Sequence, residues 1–475
     1  MTGITSYGAY VPLRRLGKGT MGWRAENEKA VAYYDEDSLT MAVAATIDCM
    51  GDIDRSTIDG LYAASTTLPY KEKLAATTIA YAADLRRDIQ TIDCTDSLRA
   101  GTGALRMAVD SVKAGSVDKL MVTASDCRLG PPRSQFDMTF GDGAAAFIVG
   151  KENVIATIEA SYSESNELLD MWRGDTSKYL HTWEERWVQE EGYLKVLPQV
   201  IGNFFKKFGL NPEEITKVAY YGPNPRRHSQ MGKTLGFKPE QIQDPLFNTI
   251  GNTGTASTLM MLIAALEDAK PGDTILCASY GDGVDVLLIK VTDEIAKMGK
   301  RRAIKQNVAC KTIFPSYDDY LGFHHQTGDP EAGGGPSASS VAREREAIYP
   351  LHGSKCRVCG TIQYPPQRVC TKCKTKDEFD RFRLSDKKAK IFTRVLDYAA
   401  PVPRYDSPSV DILIDWECGG RALFTLTDKK SKPDEVPIGM ELEMTFRKLR
   451  ASGGIHHYFW KAMPLRESWL QKEEK

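Results

Sequence analysis

From the N-terminus to about residue 295 the chain alternates between two hydrophobic periods. Asp37 to Cys49 has apolar residues at helical spacing and polar ones between them, while Gly60 to Ala64 is a short apolar run of strand type. Gly101 to Ala114 is a second helix, and Lys119 to Ala124 a second strand. The alternation predicts a layered α/β architecture.

The pattern repeats. Ala104 to Gly115 leads into the strand Leu120-Met-Val-Thr-Ala, then to Gly141-Asp142-Gly143 and an apolar run. Leu259 to Lys270 leads past Pro271-Gly272 into Ile275-Leu-Cys-Ala-Ser, then to Gly281-Asp282-Gly283 and another apolar run. Helix, strand, Gly-Asp-Gly and strand, twice in that order, predict a duplicated half-domain.

Residues 329–343, with Gly333-Gly-Gly-Pro-Ser-Ala-Ser-Ser, are expected to be a linker. That divides the chain into a domain over 1–328, a cysteine-rich segment over 344–380 and a last module over 381–475. The last module contains five short alternating runs: Lys390 to Tyr398, Asp411 to Glu417, Arg421 to Thr427, Glu441 to Leu449 and Tyr458 to Ala462. Separated by Gly, Pro and Asp turns, they predict a small barrel of OB type.

Composition adds exclusions. Lys+Arg 62 against Asp+Glu 63 gives no basic or acidic bias, so no nucleic-acid or membrane-surface partner is expected. No apolar run reaches the roughly 18 residues of a membrane span. Met1 to Leu13 has no basic stretch leading into an apolar one, and a cytoplasmic protein is expected.

Of ten cysteines, four form Cys356-x2-Cys359 and Cys370-x2-Cys373, and six are scattered singly. Two Cys-x2-Cys knuckles ten residues apart suit one tetrahedral, structural Zn²⁺ with closed Cys₄ ligation, with iron or a redox pair as the other occupants. Gly360 permits the turn after the first knuckle. A metal knuckle feeding an OB-type barrel is similar to the zinc-ribbon/OB proteins that accompany many thiolase-like acyl-CoA enzymes; here that partner is fused.

The segment from Ser97 through Leu98, Arg99 and Ala100 to Gly101-Thr102-Gly103-Ala104-Leu105 resembles the nucleophile elbow of the thiolase superfamily, and most closely that of archaeal-type hydroxymethylglutaryl-CoA synthases. The same resemblance covers Phe247-Asn-Thr-Ile-Gly-Asn-Thr-Gly-Thr-Ala-Ser257. It implies a duplicated αβαβα domain, a CoA-thioester substrate and carbon–carbon bond chemistry. It also implies that Asn252 holds the thioester carbonyl or enolate, the task of a neutral donor aimed at developing negative charge.

Three positions depart from the family. Leu98 stands where its cysteine does, Tyr221 of Tyr221-Gly222-Pro223-Asn224 where its histidine does, and Thr66 where its glutamate does. A carbon side chain cannot attack a thioester, so no acyl-enzyme forms at position 98. Thiolase-fold aldolases also lack the nucleophile and use tyrosines for proton transfer, which makes Tyr221 the expected acid or base. The alternatives are a non-catalytic scaffold beside an active thiolase-like subunit, or a relocated nucleophile. Cys94 and Cys127 are the candidates for the last, with Arg128 beside Cys127 to favour its thiolate; Ser97 is a weaker one. Arg99, Arg226, Arg227 and Lys233 are candidates for the CoA phosphates. His228 is expected at the surface of the helix after Tyr221. The resemblance also implies a homodimer or larger assembly.

Overall fold

The computed structural model describes residues 1–324, 337–400, 402–452 and 454–470. Its first half-domain runs β1 (Gly3–Tyr10), α1 (Ser38–Met50), β2 (Gly60–Ala64), α2 (Ala75–Ala82), β3 (Gln90–Cys94), α3 (Ala100–Lys113), β4 (Leu120–Asp126) and β5 (Gly143–Gly150). The second runs β6 (Ala156–Ser165), α4 (Tyr193–Phe208), β7 (Lys217–Tyr220), α5 (Pro225–Thr234), α6 (Ser257–Asp268), β8 (Thr274–Tyr280) and β9 (Gly283–Val291).

These strands form one nine-stranded sheet in the order β3-β2-β4-β5-β1-β6-β9-β8-β7. The duplication is visible in the pairing. β2 runs parallel to β4, which pairs antiparallel with β5, and β5 antiparallel with β1. In the second half β7 runs parallel to β8, β8 antiparallel to β9, and β9 antiparallel to β6. The edge strand β3 is matched there only by an isolated parallel bridge between Val218 and Ile242.

Alternation along the strands sorts side chains into layers. Leu120, Val122 and Ala124 of β4 face a core shared with α3 and α6, as do Ile275 and Cys277 of β8. Met121 faces α1 and α2, and Leu276 and Ala278 face α4. The result is five layers, αβαβα, with α3 and α6 between the half-sheets. Strands buried on both faces read as unbroken apolar runs in the sequence. Asp37 caps α1 by accepting from Thr40 N, while the Thr40 hydroxyl accepts from Asp37 N.

After the first domain, α7 (Ala338–Ile348) occupies part of the stretch expected to be linker: Ser337 accepts from Ser340 N as its N-cap, and Ala347 on it is buried. Asp329 to Pro336 lie outside the described residues. The ribbon follows as β10 (His352–Cys356), β11 (Ile362–Gln363) and β12 (Phe379–Arg383). The last module is β13 (Ala389–Asp397), β14 (Ser409–Trp416), β15 (Arg421–Thr425), β16 (Glu441–Ser452) and β17 (Ile455–Pro464), in the order β15-β14-β13-β16-β17. A parallel bridge from Leu426 to Ala462 closes it into the OB-type barrel.

The barrel is packed onto the first domain. Trp416, Phe424, Phe446 and Trp460 belong to the same apolar core as α1 and α2. At its edge, buried Arg447 of β16 pairs with Asp35 (3.3 Å), Glu36 (2.7 Å) and Asp428 (2.8 Å), and Lys461 pairs with Asp35 (2.7 Å). Charges this deep are tolerated because each has its counter-charge. Among the described residues no helix is long and apolar enough to cross a membrane.

Candidate active site and metal centre

The site residues lie just past the C-terminal ends of four strands. Ser65 and Thr66 follow β2, Cys127 and Arg128 follow β4, Tyr221 follows β7, and Tyr280 ends β8. Strand ends that converge at one edge of an α/β sheet are where such folds build sites.

Asn252 is brought there by backbone contact rather than by a strand of its own. Its N–H donates to Thr139 O (2.8 Å), and its carbonyl accepts from Gly141 N (3.1 Å). The two segments approach so closely that a Cβ on Gly141 would lie 1.8 Å from Ile250 O. Gly251, at φ +93°, sits against Gly141 from the other side. The first glycine of the Gly-Asp-Gly motif and the glycine before Asn252 therefore require each other. A second clip is Asp126, whose carboxylate accepts from the Ser65 and Thr67 hydroxyls (3.0 Å each), Thr66 N (2.7 Å) and Thr255 N (2.8 Å).

Asn252 and Tyr221 are each 1% exposed and in contact: Asn252 Nδ2 donates to Tyr221 Oη at 3.1 Å. The same amide also faces Gly222 O (3.3 Å) and Pro223 O (3.5 Å). Its Oδ1 accepts from Arg128 Nη2 (2.9 Å) and Gly254 N (3.0 Å). The Asn252 amide is thus spent within the protein, and the group it serves is Tyr221. Leu98 packs against the cluster that holds Tyr221, Tyr193 and Tyr280. The Tyr193 hydroxyl donates to Tyr221 O (2.9 Å), and Tyr280 donates to Asp170 (3.0 Å). Beside Asp170, burial pushes the Tyr280 hydroxyl well above its ordinary range.

A flap over residues 166–191 lies over Tyr221. The cavity before Tyr221 is only about 30 Å³, room for one water, with Asp170, Thr182 and Val188 closing it from the flap and Phe136, Phe140 and Asn224 from the domain. Arg173 Nη2 ties the flap to Thr66 O (2.6 Å). A second cavity, of about 1180 Å³, lies where α2, α7 and the barrel meet, with Lys73, Arg345, Arg450 and His456 on its walls.

The remaining candidates are placed as follows. Cys94 is half-buried on β3, its thiol pushed up to about 11 by burial and Asp93. The Cys127 thiol is raised well above its ordinary value, by burial first and then by Asp142, Asp37 and Asp126. Arg128 does not favour its thiolate, because that guanidinium turns to Asn252 instead. Arg99 is held by Asp285 (3.1 Å), Ser163 (3.0 Å) and Asp282 O (3.1 Å) rather than left free for a phosphate. Arg226 and Lys233 are exposed on α5, and Arg227 binds Gln230 (3.0 Å). Asn224 caps α5 by accepting from Arg227 N.

His228 is not a surface residue. It is 4% exposed and stacked on Tyr220 at 4.1 Å, and burial lowers its pKa to about 4. The helix turns its side chain inward against Gly222, where a Cβ would touch it at 2.7 Å. Three contributors were not singled out in the sequence: Tyr193, Tyr280 and Asp170. The internal repeat is the signal that reaches Tyr280, since it ends the second repeat's strand just as Asp126 ends the first.

The four ribbon thiols converge. Cys356 Sγ lies 3.6 Å from Cys373 Sγ, and Cys359 Sγ 3.5 Å from Cys370 Sγ. All four lie within 4.8 Å of one another. The edge of a tetrahedron with Zn–S of ~2.3 Å is ~3.8 Å, so the donor set fits a closed zinc site. The knuckles are copies of one another. Cys356 N and Cys370 N donate to Thr361 O and Thr375 O, and Gly360 and Lys374 both take positive φ.

Comparison with known proteins agrees with both modules. The profile for the C-terminal part of 3-oxoacyl-[acyl-carrier-protein] synthase III matches residues 205–289, and that for the ChsH2 rubredoxin-like zinc ribbon matches 347–379. The hydroxymethylglutaryl-CoA synthase of Methanosarcina acetivorans is 32% identical over 349 residues, covering 69% of this chain and 98% of that protein. That of Methanocaldococcus jannaschii is 31% identical over 315 residues, covering 63% and 91%. Among solved structures, an HMG-CoA synthase complexed with CoA superposes with TM-score 0.62 at 17% identity, over 71% of this chain and 93% of that one. The 3-oxoacyl-[acyl-carrier-protein] synthase III of Aquifex aeolicus does so with TM-score 0.55 at 20% identity, over 61% and 100%. With a curated relative above 30% identity spanned almost end to end, the chain belongs to the hydroxymethylglutaryl-CoA synthase family of thiolase-fold acyl-CoA enzymes, and carries a zinc ribbon and an OB-type barrel in addition.

Proposed function

We propose that this protein makes or breaks a carbon–carbon bond in a 3-hydroxyacyl-CoA by aldol or retro-aldol chemistry, without an acyl-cysteine. The observation that carries the reading is the Asn252–Tyr221 hydrogen bond beside Leu98. A hydroxyl takes the histidine's place, and its lone pair is already engaged by an amide N–H. In cleavage the C3 hydroxyl loses its proton, the C2–C3 bond breaks, C3 becomes a carbonyl and C2 carries the thioester enolate until it is protonated. Tyr221 Oη is the atom at which that proton is held or moved. Asn252 acts through Tyr221 and stabilises negative charge on its oxygen. No redox step or covalent enzyme intermediate is required.

Two further features support an acyl-CoA substrate. The cavity beside the barrel has the volume for a CoA moiety, with Lys73, Arg345 and Arg450 available to its phosphates. Arg226 and Lys233 offer exposed charge on the helix that starts at Asn224, at the wall of the small cavity. Entry to Tyr221 then requires the flap to lift. Edge strand β3, with Ile92 41% exposed, offers an unpaired edge to a second copy, and a homodimer by light scattering is expected.

The test is turnover of a panel of 3-hydroxyacyl-CoAs by the full chain and by Tyr221→Phe. The wild type is expected to release an acyl-CoA and a carbonyl product. The variant should lose about 10²–10⁴-fold in kcat while binding the ester as before. Equal turnover by both removes Tyr221 from the chemistry. The closed 30 Å³ cavity favours a second reading, a non-catalytic subunit beside an active thiolase-like partner; an inert wild type that co-purifies with such a partner in fixed ratio supports it. Intact-mass analysis after incubation with acyl-CoAs is expected to find no adduct, and an adduct mapped to Cys94 or Cys127 would revive the relocated nucleophile.

A further inference from the structure

We infer that Arg128 is a positioning residue for Tyr221: it fixes the orientation of the Asn252 amide and holds a positive charge behind the Tyr221 oxygen. The inference rests on Tyr221 being the proton-transfer group, and it adds a residue that neither the family resemblance nor the reaction assigns.

The orientation argument is one of satisfiability. Arginine offers donors only, so whichever end of the Asn252 amide meets Arg128 Nη2 at 2.9 Å must be the carbonyl oxygen. Gly254 N, at 3.0 Å from the same oxygen, imposes the same choice. The NH₂ end then faces three acceptors: Tyr221 Oη, Gly222 O and Pro223 O. Reversing the amide would set NH₂ against two donors and its oxygen against two carbonyls. Tyr221 therefore receives a hydrogen bond from Asn252, and its own proton points elsewhere.

The charge argument follows from what surrounds the guanidinium. Arg128 is 3% exposed, and its Cζ lies 4.2 Å from the centroid of Phe140, whose ring lines the cavity before Tyr221. Among the described residues no carboxylate oxygen is within 4.0 Å of it, and its Nε and Nη1 have no hydrogen-bond partner. Asp126, two residues away, is taken up by Ser65, Thr66, Thr67 and Thr255. Asp126 Oδ2 and Arg128 Nε crowd the same face of Gly254, so the carboxylate shares the guanidinium's field, and the rest of that charge reaches Asn252 and then Tyr221 through the 2.9 Å Nη2 contact. The other ionisable groups around that tyrosine, Tyr193, Tyr280, Asp170 and Glu185, supply no positive charge.

The inference is tested on the full chain with Arg128→Met and Arg128→Lys. In turnover, Arg128→Met is expected to lower kcat by about 10²-fold with KM within about threefold, and Arg128→Lys to recover about tenfold of the loss. Undiminished kcat in Arg128→Met overturns the inference, and so does a lysine variant no better than the methionine one, because packing rather than charge would then be at work. The second readout needs no turnover and no ligand. Tyrosinate absorbance is titrated to pH 11 for wild type minus Tyr221→Phe, and for Arg128→Met minus the double variant. The two difference curves are expected to separate, and coincident curves overturn the inference. Inert wild type with separated curves removes the proposed reaction and keeps Arg128; active wild type with coincident curves does the reverse.

Discussion

The zinc knuckles and the cleft around Tyr221 are both clusters of polar or reactive side chains, and they are built in opposite ways. All four metal ligands come from 18 consecutive residues, in two local turns that repeat the same hydrogen bonds. The cleft takes Thr66, Leu98, Tyr221 and Asn252 from four separate segments, brought together by the strand ends and by the close approach of Gly141 and Gly251. A local site carries its own geometry, so its chemistry can be read from spacing. A dispersed site borrows its geometry from the fold.

The largest expected effect lies on the metal side of that comparison. Cys370→Ser should abolish stoichiometric zinc by elemental analysis and melt the ribbon, since metal binding and folding are one equilibrium worth on the order of 10 kcal/mol. A variant that retains one zinc per chain would mean that the closed Cys₄ reading is wrong. Next is the junction that joins the fused modules. Arg447→Met leaves Asp35, Glu36 and Asp428 short of their counter-charge, and a loss of about 3–5 kcal/mol in denaturant unfolding is expected. A loss under ~1 kcal/mol would show that the barrel is held by its apolar contact alone.

A smaller effect is expected beside the cleft. Burial keeps His228 neutral, its pKa at about 4 against 6.5 for the free side chain. The unfolded chain takes up that proton below pH 6.5 and the folded one does not, so this group removes stability as pH falls from 6.5 towards 4. Its contribution to the loss between pH 7 and pH 5 is about 2 kcal/mol. His228→Phe should lose correspondingly less stability over that interval, and an unchanged pH dependence would place the titration elsewhere. The smallest effect is the sharpest for the comparison. Leu98→Cys supplies a sulfur beside Tyr221 but leaves Tyr221 and Thr66 in place, with no histidine or glutamate to activate it, and no acyl adduct is expected by mass spectrometry. Efficient acylation would show that this cleft, like the knuckles, needs only its sulfur.

Much of the architecture was legible in advance because it is periodic. β2 spans the residues that the apolar run outlines, and all five barrel strands begin and end within three residues of their sequence patterns. The linker was less so: its Ala and Ser residues suit a capped helix as well as a loop, and α7 forms there. His228 misled because one polar residue on a helix has no face until the helix is packed.

By itself, then, the sequence determined the layered duplicated domain, the barrel, the four cysteines of the metal site and the leucine at position 98, since each is a matter of period, spacing or identity over a short stretch. The tertiary structure decided which way the Asn252 amide points, that Arg128 serves it rather than Cys127, that Arg99 is tied to Asp285, and that a flap seals Tyr221. Those outcomes depend on hydrogen bonds between residues about 30 to nearly 190 positions apart. Such partners compete for the same donors and acceptors only once the chain has brought them together.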